Sequence, residues 1–243
     1  WGPPGAGKTF GIGYLLTLLQ EAEPTGRTLI VAPSNRAVDV ALEQFLGHLG
    51  LSERRDLVDA RRILRFGYPK KASILERAEL LGPKELDALS RQVRLVADKI
   101  ARAEREERGE KEVALLRAEL LNAQEAVKTA VTAHVGQCAV VATTSTLAYL
   151  PTSPVADFRW DNVIVDEVTM VTPAMCTFLA SLVTKRLLFA GDPRQLGPVY
   201  ETIPSADEKN AFEWMGRDIF DKSGVSRGEG ENRTVALDDG RLA

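Results

Sequence analysis

Gly2-Pro3-Pro4-Gly5-Ala6-Gly7-Lys8-Thr9 opens the chain and satisfies the spacing GxxxxGK[ST] in full. Glycines at that spacing let the backbone curl so that consecutive N–H groups face an anion, and the start of the helix that follows adds its positive end. In such a loop Lys8 reaches the β- and γ-phosphates of a nucleotide, and the Thr9 hydroxyl ligates Mg²⁺. Gly2, Gly5, Ala6, Gly7, Lys8 and Thr9 are therefore the expected nucleotide-binding residues, with ATP and Mg²⁺ as ligands. Phe10–Gln20 reads as the helix, with Ile12, Leu15, Leu16 and Leu19 on one face. A phosphate-binding loop ordinarily follows a buried strand and none precedes Gly2, while Thr234–Ala243 carries no fold-ending signal. The chain reads as part of a longer protein.

Outward from the loop, Arg27–Ala32 is an apolar run rich in β-branched residues, as in a strand buried on both faces. Pro33 ends it, and Ser34 or Asn35 can cap a helix carrying Val38, Leu42, Phe45, Leu46 and Leu49 at helical spacing. Residues 139–143, 163–167 and 186–192 are further apolar runs ending in polar residues. Strands alternating with helices imply a parallel sheet, whose ligands bind beyond the carboxyl ends of the strands. Residues 84–131 differ. Leu86, Leu89, Val93, Val96 and Ile100, then Val113, Leu116, Leu120, Ala123, Val127 and Ala130, step alternately by three and four about a charged tip near Gly109. That spacing predicts an antiparallel helical hairpin with a coiled-coil seam.

Chemistry gathers at the strand ends. Val163-Ile164-Val165-Asp166-Glu167 places two carboxylates after an apolar strand. Asp166 suits the Mg²⁺ shell, and Glu167 can orient and deprotonate an attacking water. In Gly191-Asp192-Pro193-Arg194-Gln195-Leu196-Gly197-Pro198, Gln195 offers both an amide donor and an acceptor, suited to sensing a γ-phosphate and its water. Glu167, Gln195 and Lys8 are the candidate catalytic residues.

In order along the chain, GPPGAGKT, APSNRAVD (Ala32–Asp39), ATTSTLA (Ala142–Ala148), VIVDE and AGDPRQLGPV resemble the motifs of superfamily 1 helicases. Ile63-Leu64-Arg65-Phe66-Gly67-Tyr68-Pro69 is similar to a segment of the Upf-like branch, whose members walk 5′→3′ on RNA or DNA and carry stalk helices after it. The resemblance spans about Gly2 to Phe220. It implies an α/β fold, a P-loop NTPase (RecA-like) parallel sheet flanked by helices with an inserted helical stalk. Residues 1–83 and 132–243 would form one ATPase core and residues 84–131 the stalk. It also implies that Pro33, Ser34, Asn35, Thr143 and Thr144 line a channel for single-stranded DNA or RNA, holding the backbone without reading sequence. A second RecA-like domain with an arginine finger would follow Ala243. After Asp166-Glu167 the family has a small residue and soon a glutamine, where this chain has Val168-Thr169-Met170.

Composition narrows the alternatives. A hydrophobic fraction of 44% with 27% charged residues is that of a globular protein. No run approaches the ~18–20 apolar residues needed to span a bilayer, and no signal peptide is evident, so an intracellular, cytoplasmic location is expected. Two separated cysteines, Cys138 and Cys176, exclude a disulfide framework, and His48 and His134 lack the companions of a metal site. Net charge is −3, which gives no support for a nucleic-acid coat but permits a local groove. The rival to a motor is a nucleotide-binding scaffold or switch that acts on protein partners through the hairpin.

Overall fold

Five short apolar segments pair into one parallel sheet: β1 (Thr28–Ala32), β2 (Ile63–Arg65), β3 (Val140–Thr144), β4 (Trp160–Val165) and β5 (Val183–Phe189), in the order β2-β3-β1-β4-β5. The computed structural model describes residues 1–3, 5–83, 85–106, 109–199 and 208–224, so Thr234–Ala243 lies outside the described residues. In the centre, Ile30 stands beside Ala142 of β3 and Ile164 of β4. Successive residues of β1 face opposite ways, and all five are buried. Ile30 and Ala32 join one core, Leu29 and Val31 the other. This double burial explains why β1, β3 and β4 read as continuous apolar runs with no alternation.

One face is covered by α1 (Lys8–Ala22) and α2 (Asn35–Leu49), which bring Ile12, Leu16, Val38, Leu42, Phe45 and Leu49 onto the sheet. The short turns α3 (Asp56–Asp59) and α4 (Ala72–Leu75) add Leu57 and Ile74 to the same core. Helices α5 (Glu85–Arg105) and α6 (Glu110–Gln137) form the expected hairpin. Ion pairs Arg117–Glu104 at 2.9 Å and Lys99–Glu119 at 3.9 Å set the helices antiparallel. Val96, Ala103 and Ala123 are buried between them, and α6 runs past residue 131 to place Val135 in the second core. That core continues with α7 (Ser145–Tyr149), α8 (Pro173–Ser181) and, after a short α9 (Glu208–Ala211), α10 (Ile219–Lys222); α7, α8 and α10 contribute Ala148, Cys176, Leu179 and Phe220.

Among the described residues, strand β5 pairs only with β4. Thr184, Lys185 and Arg186 are exposed, and Leu187, Leu188 and Phe189 are half-buried. Leu15 and Leu19, expected on the buried face of α1, are half-buried and line a cavity of about 340 Å³ with Leu187 and Leu188. The chain enters near this edge, where the Gly2 N–H donates to the Gly191 carbonyl at 3.2 Å. Among the described residues no helix is long and apolar enough to cross a membrane.

Candidate nucleotide site and nucleic-acid interface

The loop from Gly2 to Gly7 is built for an anion. Gly5 and Gly7 have φ of 78° and 76°, left-handed values that a side chain resists. Gly7 is the N-cap of α1 and supplies no side-chain acceptor, so the first N–H groups of the helix are left for a ligand. Gly5, Ala6 and Gly7 are exposed. The Lys8 ammonium turns back onto the loop, donating to the Gly2 carbonyl at 2.6 Å and the Pro3 carbonyl at 3.1 Å.

Strand β4 delivers the acid pair to the foot of this loop. Thr9 Oγ1 donates to Asp166 Oδ2 at 3.0 Å, and the Glu167 N–H donates to Asp166 Oδ1 at 3.0 Å. Asp166 is buried, and burial raises its pKa against the opposing hydrogen bonds from Thr9 and Glu167. Glu167 has φ 51°, ψ 40°, a left-handed turn at a non-glycine residue that ends the strand. Its carboxyl is pushed up first by burial and then by the Asp166 charge, in the direction that suits a proton acceptor. Two oxygen groups in contact at the start of a helix fit Mg²⁺, which is commonly held by one or two carboxylates with water and substrate phosphates completing its shell.

Thr9, Asp166 and Glu167 share a cavity of about 260 Å³ with Ser34, Arg36, Ala37 and Val40 of the α2 start. Gln195 does not line it. Its Nε2 donates to Asp192 Oδ2 at 3.3 Å, and the side chain is exposed. The backbone N–H of Arg194, more than Gln195, holds the Asp192 carboxyl below its ordinary range.

The expected channel residues divide. Ser34 is exposed and is the N-cap of α2, accepting from the Ala37 N–H at 3.2 Å. Thr144 is the N-cap of α7, accepting from the Leu147 N–H at 3.2 Å. A hydroxyl that accepts in this way keeps its own proton to donate. Pro33 and Asn35 are half-buried beside Ser34. Thr143 differs: it is fully buried and its hydroxyl has no partner among the described residues, so its side chain forms no part of the exposed floor. The period-2 alternation of β3 turns Thr143 inward and leaves Thr144 at the strand end.

An AAA domain profile matches residues 1–201. The chain belongs to the AAA domain family. This AAA domain is also similar to the DNA polymerase alpha-associated DNA helicase A of Saccharomyces cerevisiae, at 28% identity over 245 residues. The match takes in 91% of this chain and 33% of that helicase, so the chain spans about a third of the relative's length. The relative supports the superfamily 1 resemblance read from the motif series.

Within the AAA domain, three contributors escaped the sequence reading. Arg36 reaches the nucleotide-side cavity and has no ion pair among the described residues. Arg65 and Asp39 form an ion pair whose side chains are both 0% exposed, with Nε to Oδ1 at 2.7 Å. Asp39 Oδ2 also accepts from the backbone N–H groups of Lys70 and Lys71, at 2.5 and 3.0 Å. A signal existed: an arginine inside the apolar run of β2, and an aspartate on the face of α2 that carries Val38 and Leu42.

Proposed function

We propose that this protein binds ATP with Mg²⁺ and hydrolyses it as the first RecA-like half of a helicase moving 5′→3′ along single-stranded DNA or RNA. The observation that carries the reading is the 3.0 Å contact of Thr9 with Asp166, two oxygen ligands joined across 157 residues at the mouth of an anion-ready loop. Triphosphate oxygens would replace the Gly2 and Pro3 carbonyls as partners of Lys8, exchanging neutral acceptors for charged ones. Bound Mg²⁺, held through Thr9 and Asp166, would neutralise charge developing on the transferred phosphoryl group. Glu167 would orient water and take its proton, and Gln195, released from Asp192, would meet the γ-phosphate side of the site.

Pro33, Ser34, Asn35 and Thr144 lie at the carboxyl ends of β1 and β3, and backbone contacts from them would hold the strand. The hairpin fits a stalk, inserted between residues 1–83 and 132–243 of one core. A second RecA-like domain would supply arginine donors of the kind worth about 10³–10⁵ in rate.

Steady-state ATP hydrolysis with and without single-stranded DNA or RNA tests the reading. Stimulation of several-fold is expected in a protein that includes the second domain, with loss of nucleotide binding in Lys8→Ala. A rate indifferent to either nucleic acid would favour the scaffold, and undiminished turnover in Lys8→Ala would make the loop a structural turn.

A further inference from the structure

The guanidinium of Arg65 does more than pair with Asp39. Its Nη1 donates to the Phe66 carbonyl at 2.7 Å, and its Nη2 donates to Asn35 Oδ1 at 2.9 Å and to the Asn35 carbonyl at 3.4 Å. Arginine has only donors, so the Asn35 oxygen must face it. The amide is planar, and fixing its oxygen fixes its nitrogen. That NH₂ group finds no acceptor among the described residues, and Asn35 is half-buried at the first turn of α2. Exposed Arg36 follows it, with no ion pair among the described residues, and Ser34 precedes it as the cap. The helix start adds its own positive end. An outward amide donor in such surroundings suits a phosphate oxygen.

We infer that Arg65 is a positioning residue: it clamps the Asn35 amide with its oxygen inward and its NH₂ outward, as a donor to the phosphates of a bound single strand. This rests on the nucleic-acid reading above and deepens it. Asp39 completes the device. It offsets the Arg65 charge and, through the Lys70 and Lys71 N–H groups, ties down the loop that carries the Phe66 carbonyl.

Two substitutions of Asn35 separate this role from a purely structural one. Asn35→Asp keeps, and strengthens, the acceptor for Arg65 but turns the outward arm from a donor into a negative acceptor. Asn35→Ala removes both arms. Melting temperature should therefore follow Asp ≥ wild type > Ala, whereas affinity for a fluorescein-labelled oligothymidylate, read by anisotropy at low salt, should follow wild type > Ala > Asp. A lost charge-assisted hydrogen bond corresponds to about a 10- to 100-fold loss of affinity. The gap between Asp and Ala should narrow as salt screens the repulsion. Arg65→Lys retains a charge beside Asp39 but has one nitrogen, too few for Asp39, Phe66 and Asn35 together. It should weaken binding several-fold alone and add little in the Asn35→Ala background.

Wild-type affinity in Asn35→Asp, or additivity of Arg65→Lys with Asn35→Ala, would overturn the inference and leave the nucleic-acid reading standing. Failure of the wild-type protein to bind the oligonucleotide would overturn both.

Discussion

Gly11 and Gly13 lie two residues apart in α1, yet the same change to alanine should have opposite effects. A β-carbon added at Gly11 meets nothing within 4 Å. At Gly13 it would stand 2.7 Å from the backbone carbon of Gln44, 2.8 Å from the Phe45 nitrogen and 2.9 Å from the Gln44 β-carbon. The first two are backbone atoms of α2 and cannot turn aside, so the helices must move apart as bodies. Replacing glycine by alanine inside a helix gains about 0.8–1 kcal/mol from propensity. Overpacking a tight contact costs about 1–3 kcal/mol, and backbone crowding belongs at the upper end of that range. Gly11→Ala should therefore stabilise by nearly 1 kcal/mol and Gly13→Ala destabilise by about 1–2 kcal/mol, in two proteins of identical composition. Urea unfolding followed by circular dichroism reads the difference as a shift in midpoint at constant slope. The spacing also bears on the site, because α1 begins at Lys8 and α2 at Asn35. A Gly13→Ala protein as stable as Gly11→Ala would refute the close approach of the two helices.

Glu167→Gln should keep nucleotide binding through Lys8, Thr9 and Asp166 while hydrolysis falls by about 10²–10⁴-fold, measured by phosphate release beside equilibrium binding; loss of both together would assign Glu167 to the metal shell. Because burial and Asp166 raise the Glu167 pKa, NMR titration of the protein free of metal and nucleotide should find its carboxyl protonating above the ordinary carboxylate range, and titration at the ordinary value would argue against its burial beside Asp166. Burial pushes the Cys138 and Cys176 thiols up to about 12, so only about one thiol in ten thousand is ionised near pH 8. Iodoacetamide should label neither cysteine until the protein unfolds, and prompt labelling by mass spectrometry would show that these sites open. Glu23, bonded to Arg186 at 2.6 Å and Lys185 at 2.8 Å, has its carboxyl pushed down to about 2 from 4.5. The stability it lends is complete above its unfolded value and lost as pH falls towards 2; the midpoint difference between wild type and Glu23→Gln should shrink over that window, and a difference constant with pH would remove the ion pair from the account.

The fold was legible to the extent that its causes are local. Four apolar runs read from the sequence became β1, β3, β4 and β5, and β1, β3 and β4 are buried on both faces because strands alternate with helices along the chain; β2, three residues long, was not among them. The hairpin could be read from spacing alone, since adjacent helices joined by a short turn can bury a shared seam only by folding back on each other. Boundaries moved by a few residues: α1 begins at Lys8, inside the phosphate-loop motif, and α6 continues to Gln137.

The sequence by itself determined the chemistry offered at each strand end, because the glycine loop, the acid pair and the capping hydroxyls depend on neighbours within a few positions. Tertiary structure alone decided which of these groups meet and which way they face. Thr9 reaches Asp166 only because β4 and the start of α1 share an end of the sheet. Thr143 is hidden and Thr144 is not, through the pleat of one strand. Gln195 rests on Asp192 and does not line the cavity of the acid pair. The orientation of the Asn35 amide is set by an arginine 30 residues away, in another strand, whose charge is sheltered from water by a partner on α2. Hydrogen bonds of this kind have short range in space and none along the chain, so no local pattern announces them.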